Sequence, residues 1–241
     1  IVFLLLPLTS QASLHDMAVI EKWDTSLRSR LTHLEDAGDT GKSASFRLRS
    51  STEFAWHENW SSQLEVDWVK SAWNTHHSDD VNFNGQPATP EPQGIDINQL
   101  TLAYKNDSLN ASIGRQVINR DDERFIGSVG FWQNEQSFDA AHLHIPLMNA
   151  SSFSLIYIDQ ALRIFGRDAD KTLKPSDVNY LSQNGIRPLL KRGEHNLDSY
   201  FLELKLDDWD YHTIKAFHLN YTNQTHQAIS NETTGLRYRY K

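Results

Sequence analysis

Residues 43–73 read SASFRLRSSTEFAWHENWSSQLEVDWVKSAW, and their alternation decides the fold class. Phe46, Leu48, Phe54 and Trp56 fall on one face of an extended chain, with Arg47, Arg49 and Glu53 on the other. Leu64, Val66 and Trp68 then alternate in the same way with Gln63, Glu65 and Asp67. Side chains of a strand point to opposite faces in turn, so period two predicts strands and not helices. The stretch His57–Asn59 between them is short and polar, as a tight connection between neighbouring strands must be.

The same period extends outward over the whole chain. Leu100, Leu102 and Tyr104 alternate with Gln99, Thr101 and Ala103; Tyr200, Leu202, Leu204 and Leu206 alternate with Ser199, Phe201, Glu203 and Lys205. Leu236, Tyr238 and Tyr240 alternate with Gly235, Arg237, Arg239 and Lys241. The pattern predicts ten strands, at 23–34, 43–56, 60–73, 96–105, 109–118, 134–144, 152–164, 197–206, 211–222 and 232–241. Helical spacing is confined to Ser13–Trp23 and to Pro175–Leu190, where Ser176 is a candidate cap.

The connections carry more than the strands. Those after the second, fourth, sixth and eighth strands are short: His57–Asn59, Asn106–Ser108, Ile145–Ser151 and Asp207–Asp210. Those after the odd-numbered strands are longer, among them Asn74–Ile95, Asn119–Gln133 and Phe165–Asn196. In an up-and-down meander alternate connections lie at opposite ends. One end is then tight and the other carries large loops, the asymmetry of outer-membrane barrels. A soluble sandwich has no physical reason to segregate loop lengths by parity.

Composition narrows the classes. The 241 residues carry a net charge of −8, no cysteine and 39% hydrophobic residues, with a mean hydropathy of −0.57. No helix of roughly 18 consecutive apolar residues can be found to span a bilayer. Disulfides, thiolate zinc sites and cysteine nucleophiles are excluded outright. The acidic balance argues against nucleic acid, which needs clustered Lys and Arg. The aromatic share of 11% argues against disorder.

Ile1–Leu8 reads IVFLLLPL and stops at Thr9-Ser10-Gln11-Ala12-Ser13. This is the pattern of a signal-peptide core before a small-residue cleavage site, and it predicts removal of residues 1–12 and export of 13–241. With no start Met and no basic region before it, the sequence is expected to begin inside that peptide.

Each predicted strand has one apolar and one charged face. Arg28, Arg30, Arg47, Arg49, Arg115, Arg237 and Arg239 lie opposite the apolar residues, interspersed with Glu53, Glu65 and Asp67. If the apolar side meets lipid, these charges line a water-filled lumen, and arginines there favour anionic solutes. Trp23, Trp56, Trp60, Trp73, Tyr104, Trp132, Tyr157, Trp209, Tyr211 and Tyr221 sit near strand ends, where barrels carry aromatic girdles.

Residues 114–140 read GRQVINRDDERFIGSVGFWQNEQSFDA. Here the chain resembles the alginate-export family of outer-membrane β-barrels and its porin-like relatives. The match runs through Gly114, Arg115, Gln116, Arg124, Phe125, Gly127, Gly130, Gln133, Asn134, Glu135, Gln136, Phe138, Asp139 and Ala140. Weaker similarity continues through Ile158-Asp159, Arg163–Gly166 and Gly235–Tyr238. Phe131-Trp132 departs from the Trp-Arg common at that place, which removes one cation. The family barrel also has more strands than ten, so the resemblance implies the N-terminal part of a transmembrane barrel.

The resemblance implies an outer-membrane channel, with Arg115, Arg124, Glu135 and Asp139 at or near the lumen. Gly114 and Gly127 allow close backbone approach, and Gly127 and Gly130 are candidates for positive φ. The expected partners are outer-membrane lipid and an anionic or polar solute or polysaccharide; the oligomeric state is left open. No cofactor is expected. His142-Leu143-His144 and His76-His77 make no metal-ligand motif, and no catalytic or phosphate-binding signature occurs. The competing reading is a soluble secreted β-sandwich that stacks carbohydrate on its Trp and Tyr side chains.

Overall fold

The computed structural model describes residues 18–36, 38–72, 81, 87, 89–170, 188–209 and 211–240. The leader-like segment 1–12, Trp73, His76, His77 and most of the expected helix at 175–190 lie outside them.

Ten antiparallel strands pair in chain order in one sheet. They are β1 (Val19–Asp36), β2 (Asp39–His57), β3 (Trp60–Ser71), β4 (Gly94–Lys105) and β5 (Asn110–Gln116). Then follow β6 (Ser137–Pro146), β7 (Ser152–Leu162), β8 (Glu194–Trp209), β9 (His212–Tyr221) and β10 (Asn231–Tyr240). The all-β meander is as the alternation predicts. The sheet is open, with β1 and β10 as its edges.

Three expectations are corrected. Val19–Trp23 is strand and not helix, because Trp23 pairs with Thr52 and the ladder outweighs a short stretch of helical spacing. The described tail of the second helix, Leu189–Lys191, is one 3-10 turn. The β1–β2 connection is tight and not long: the ladder runs to Asp36↔Asp39, beside Gly38 at φ 96°. Loop parity holds for the other connections.

Register defines two faces. One row runs Trp23–Thr52–Leu64–Leu100–Arg115–Asp139–Gln160–Asn196, since directly paired residues of antiparallel strands share a face. This is the outer face, and its large apolar side chains are bare. Leu27, Leu31, Phe46, Leu48, Leu102, Ile113, Leu236 and Tyr238 are all exposed. On β3, Trp60 and Trp68 mark the ends of the outer row with Leu64 and Val66 between. Eight residue steps make that span about 27 Å. Trp60 packs edge-on against Tyr104, ring centroids 5.0 Å apart, with Trp56 close by on the same rim. Trp132 and Tyr221, expected in such a rim, are elsewhere: Trp132 is in the β5–β6 connection and Tyr221 packs against the core.

The opposite, inner face holds the core. Phe138, Ala140, Ile156, Ile158, Ala161, Leu197, Phe201 and Leu219 cluster there on β6–β9. Each such large side chain, fully buried, contributes about 1.5–3 kcal/mol. Two residues of the cluster, Ile118 and Ile126, come from the connection between β5 and β6. That connection, residues 117–136, is called the strap below. Its Asp122 reaches Arg237 on β10 and its Gly130 reaches Arg28 on β1. A flat sheet would set those edge strands about 43 Å apart. The residues between fold back on themselves, Arg120 N–H to Ile126 O at 3.0 Å, and cannot cover that span. The sheet is therefore rolled around the strap, with the inner face concave.

Candidate functional site

The strap begins at a backbone kink. Gly114 has φ 119°, and a Cβ there would lie 2.3 Å from Leu100 O, so only glycine fits. Gly127 also packs closely, against the Glu123 side chain. Positive φ in the strap falls on Asp121, Glu123 and Val129 instead of Gly127 and Gly130. Such conformations are costly, more so for β-branched Val129, and persist only where surroundings over-determine them. Here Asn119 Oδ1 accepts the Ser128 N–H at 2.7 Å, and Gln136 N–H donates to Ser128 O at 2.6 Å. Gln136 Nε2 donates to Gly127 O at 2.9 Å.

Over β1–β4 the strap lies on charge. Arg28 donates to the carbonyls of Gly130, Phe131 and Trp132 at 3.1, 2.7 and 3.3 Å. Arg30 donates to Phe131 O at 2.6 Å and pairs with Glu91 at 3.0 Å. Its guanidinium also lies 3.9 Å from the Phe131 ring centroid and 4.6 Å from that of Trp132. Arg47 donates to Gln133 O at 3.1 Å. Burial and the neighbouring Arg49 make this a setting where the guanidinium needs its acceptors close.

Arg49 is the hub. It forks onto Asp67 with two bonds of 2.6 Å, lies 3.3 Å from Glu65 and pairs with Glu135 of the strap. Asn98 joins the two glutamates, its amide donating to Glu65 at 2.6 Å and to Glu135 at 2.9 Å. Asn98 reaches inward because the β3–β4 register shifts beside it. Glu91, 1% exposed, accepts from Ser45 Oγ at 2.6 Å. Arg28, Arg30, Arg47 and Arg49 thus face Glu65, Asp67, Glu91 and Glu135, four cations against four carboxylates.

Over β6–β9 the strap lies on hydrocarbon, through Ile118 and Ile126. Arg120 is the one strap cation in this half; its Nη2 is 2.8 Å from His142 Nε2 and its guanidinium is 5.7 Å from the Phe201 ring. Arginine only donates, so the imidazole nitrogen accepts. Burial lowers the Arg120 pKa from its ordinary value. At β10 the strap ends on Asp121, 2.6 Å from Lys215 Nζ, and Asp122, which accepts from Arg237 at 3.2 Å. That hydrogen bond holds the Asp122 carboxyl below the usual carboxylate range.

The sequence-derived candidates therefore divide. Arg28, Arg30, Arg47, Arg49 and Glu135 converge on the strap, and Arg237 meets its far end. Arg239 lines a cavity with Arg237 on the inner face. Arg124 is exposed and 3.6 Å from Asp122. Arg115 and Asp139 form a bidentate pair at 2.8 and 2.9 Å, but their row is the outer one, on the opposite face from Arg49 and Glu135. Grouped with Glu135 in the sequence reading, they lie on the face away from the strap because Ile113, Arg115, Asp139 and Ala141 share one parity. Sequence reasoning missed Glu91, Asn98, Gln133 and Lys215. Only the Pro-Glu-Pro setting of Glu91 hinted at a fixed carboxylate.

The class defined by these features is an open ten-stranded meander with a charged strap on its concave face. No protein-family model matches the chain, and neither a curated protein nor a solved structure matches it. No helix among the described residues is long and apolar enough to cross a membrane, and no group of His, Asp and Glu there could hold a metal ion.

Proposed function

We propose that the chain forms the wall of an outer-membrane β-barrel channel, with the strap narrowing its lumen and anionic or polar solutes passing by passive diffusion. The observation that carries this reading is the inverted distribution of polarity. The inner face is charged over β1–β4 and covered by the strap, while the outer face, apart from the Arg115–Asp139 pair, bares large apolar side chains on eight of the ten strands. In water that arrangement is unfavourable, because exposed apolar patches of this extent mark a binding or membrane surface. In a bilayer it is the expected one.

The Trp60-to-Trp68 span of about 27 Å agrees with an apolar band about 25 Å tall between aromatic girdles. The alginate-export resemblance of residues 114–140 points the same way and adds polyuronate to the candidate solutes. A soluble sandwich would put a second sheet over the apolar face, and the described residues form one sheet. The four arginines of β1 and β2 are engaged by the strap and its partners, and Lys205, Lys215 and Arg237 are paired as well. Anion preference therefore rests most on the exposed Arg239 and on the more open pair of Arg237 with Asp122.

The test is location and orientation of the outer face. Expressed in a Gram-negative host, the full-length protein should appear in the outer-membrane fraction as a heat-modifiable band; recovery in the soluble periplasm would refute the reading. Ile113→Arg, on the bare face, should cost about 2–4 kcal/mol in lipid. On a water-facing surface the same change stays within about 0.5 kcal/mol. Reversal potentials in planar bilayers under a salt gradient should show anion preference.

A further inference from the structure

On the inner face beside the β8–β9 turn, Lys205, Asp207, Thr213, Lys215, Arg237 and Arg239 line a cavity of about 190 Å³. Its wall carries four cations and one carboxylate. Asp207 is held within that wall, 2.9 Å from Lys205 Nζ and accepting from Thr213 Oγ1 at 2.9 Å. Lys205 also donates to Ala150 O at 3.2 Å, and Lys215 lies 3.7 Å from Glu203.

Besides Ala150 O and Glu203, a pair of carboxylates from the strap reaches these cations. Lys215 Nζ is 2.6 Å from Asp121 Oδ1, and Arg237 sets Nη1 3.4 Å from the same oxygen. Arg237 Nη2 then donates to Asp122 Oδ1 at 3.2 Å. One guanidinium fork thus meets one oxygen from each of two carboxylates on successive residues, as it could meet the two ends of a small dicarboxylate. The side chains of Arg237 and Asp122 are 29% and 50% exposed. That pair, so open to water, is weak and exchanges with competing anions; Lys215 and Asp121, at 24% and 13%, form the more enclosed of the two contacts.

The other end of the strap is held differently. Arg28 and Arg30 grip backbone carbonyls, and Arg49 with Glu135 is shielded, so an anion arriving in the lumen has nothing to replace there. Asp121 and Glu123 hold φ of 51° and 58°, conformations that release would relax.

We propose that this cavity is a binding site for small dicarboxylates, which Asp121 and Asp122 occupy as a built-in competitor, so that a bound dicarboxylate frees the β10 end of the strap. The site stands on the inner face alone and does not require the outer face to meet lipid.

The experiment uses the purified full-length protein, in detergent or in buffer as its fractionation dictates. Succinate is titrated at constant ionic strength, with chloride and phosphate as matched controls. Binding is read by calorimetry, and strap release by the rate of trypsin cleavage after Arg124. Succinate should speed that cleavage about tenfold, and Asp121→Asn/Asp122→Asn should bind succinate about tenfold more tightly than wild type. The same double variant should be cleaved rapidly with no succinate present. Arg239→Gln, which leaves the strap contacts alone, should weaken succinate binding and keep the strap protected without it. Equal acceleration by chloride or phosphate would mean screening and overturn the proposal. So would unchanged succinate affinity in the double aspartate variant, or no measurable succinate binding to wild type and variant alike.

Discussion

The two halves of the inner face hold one loop by opposite means. Over β1–β4 the strap is gripped by guanidiniums, carboxylates and its own carbonyls; over β6–β9 it is buried through Ile118 and Ile126 against Ile156, Ile158, Phe201 and Leu219. Hydrophobic burial is non-directional and tells a segment only how deep to sit. Forked hydrogen bonds to named atoms tell it where along the sheet to stop. The apolar half supplies adhesion and the charged half supplies position.

The comparison breaks most visibly at Arg49. Arg49→Met removes the cation that touches Asp67, Glu65 and Glu135, and leaves nearby Arg47, which makes no hydrogen bond to any of them. The expected loss is about 3–5 kcal/mol, read from urea unfolding of the intact protein. Methionine keeps the volume, so a loss below about 1 kcal/mol would mean that the charged half is dispensable. Restoring neutrality with Glu135→Gln in the same chain should return part of the loss, which a merely steric defect would not do.

On the other side, Ile126→Ala takes the strap's own anchor out of the apolar cluster. A cavity of that kind costs about 2–4 kcal/mol. The two losses should respond differently to salt: that of Ile126→Ala should be the same at low and high salt, and that of Arg49→Met should shrink as salt screens the repulsion among the carboxylates it leaves. Equal salt responses at the two sites would erase the distinction between the halves.

The smallest effect is at Asp122, where the strap meets Arg237. Because the folded pKa is depressed by that hydrogen bond, the contribution is complete above the unfolded value of about 3.9 and is lost as pH falls through the folded one. Asp122→Asn should therefore leave the strap less protected than in wild type at neutral pH, read by trypsin. The two proteins should converge only in acid, as pH falls through the depressed folded value, read by pepsin, which is active there. A difference that grows in acid would have the wrong sign for this pair.

Much of the architecture could be read in advance from period two. Trp60–Trp68 and Leu100–Tyr104 declare both strand and outward face, because bulky apolar and charged residues alternate without a break. The β1–β2 turn could not be read this way. Residues 35–42, Glu-Asp-Ala-Gly-Asp-Thr-Gly-Lys, contain no large apolar side chain to reveal a period, so a continuing ladder looks like a loop. The site was half legible for a related reason. Alternation puts Arg47, Arg49, Glu65 and Asp67 on one face, yet nothing local says that Glu135 comes from 86 positions downstream to meet Arg49. Arg115 and Asp139 sit inside the most recognisable motif, but their facing follows from register, and a single residue of parity sends them outward.

Arg28 and Arg30 take hold of the strap by the carbonyl oxygens of residues 130–132, and every amino acid has a carbonyl oxygen. The side chains at 131 and 132 add stacking against Arg30, worth about 0.5–1 kcal/mol each, so they can change at modest cost while the loop stays docked. A randomised library at those two positions should return many folded members, and one at 118 and 126 very few. Variation in what the concave face displays is thus largely decoupled from the anchoring of the segment that displays it, so that face can change its surface chemistry without a new fold.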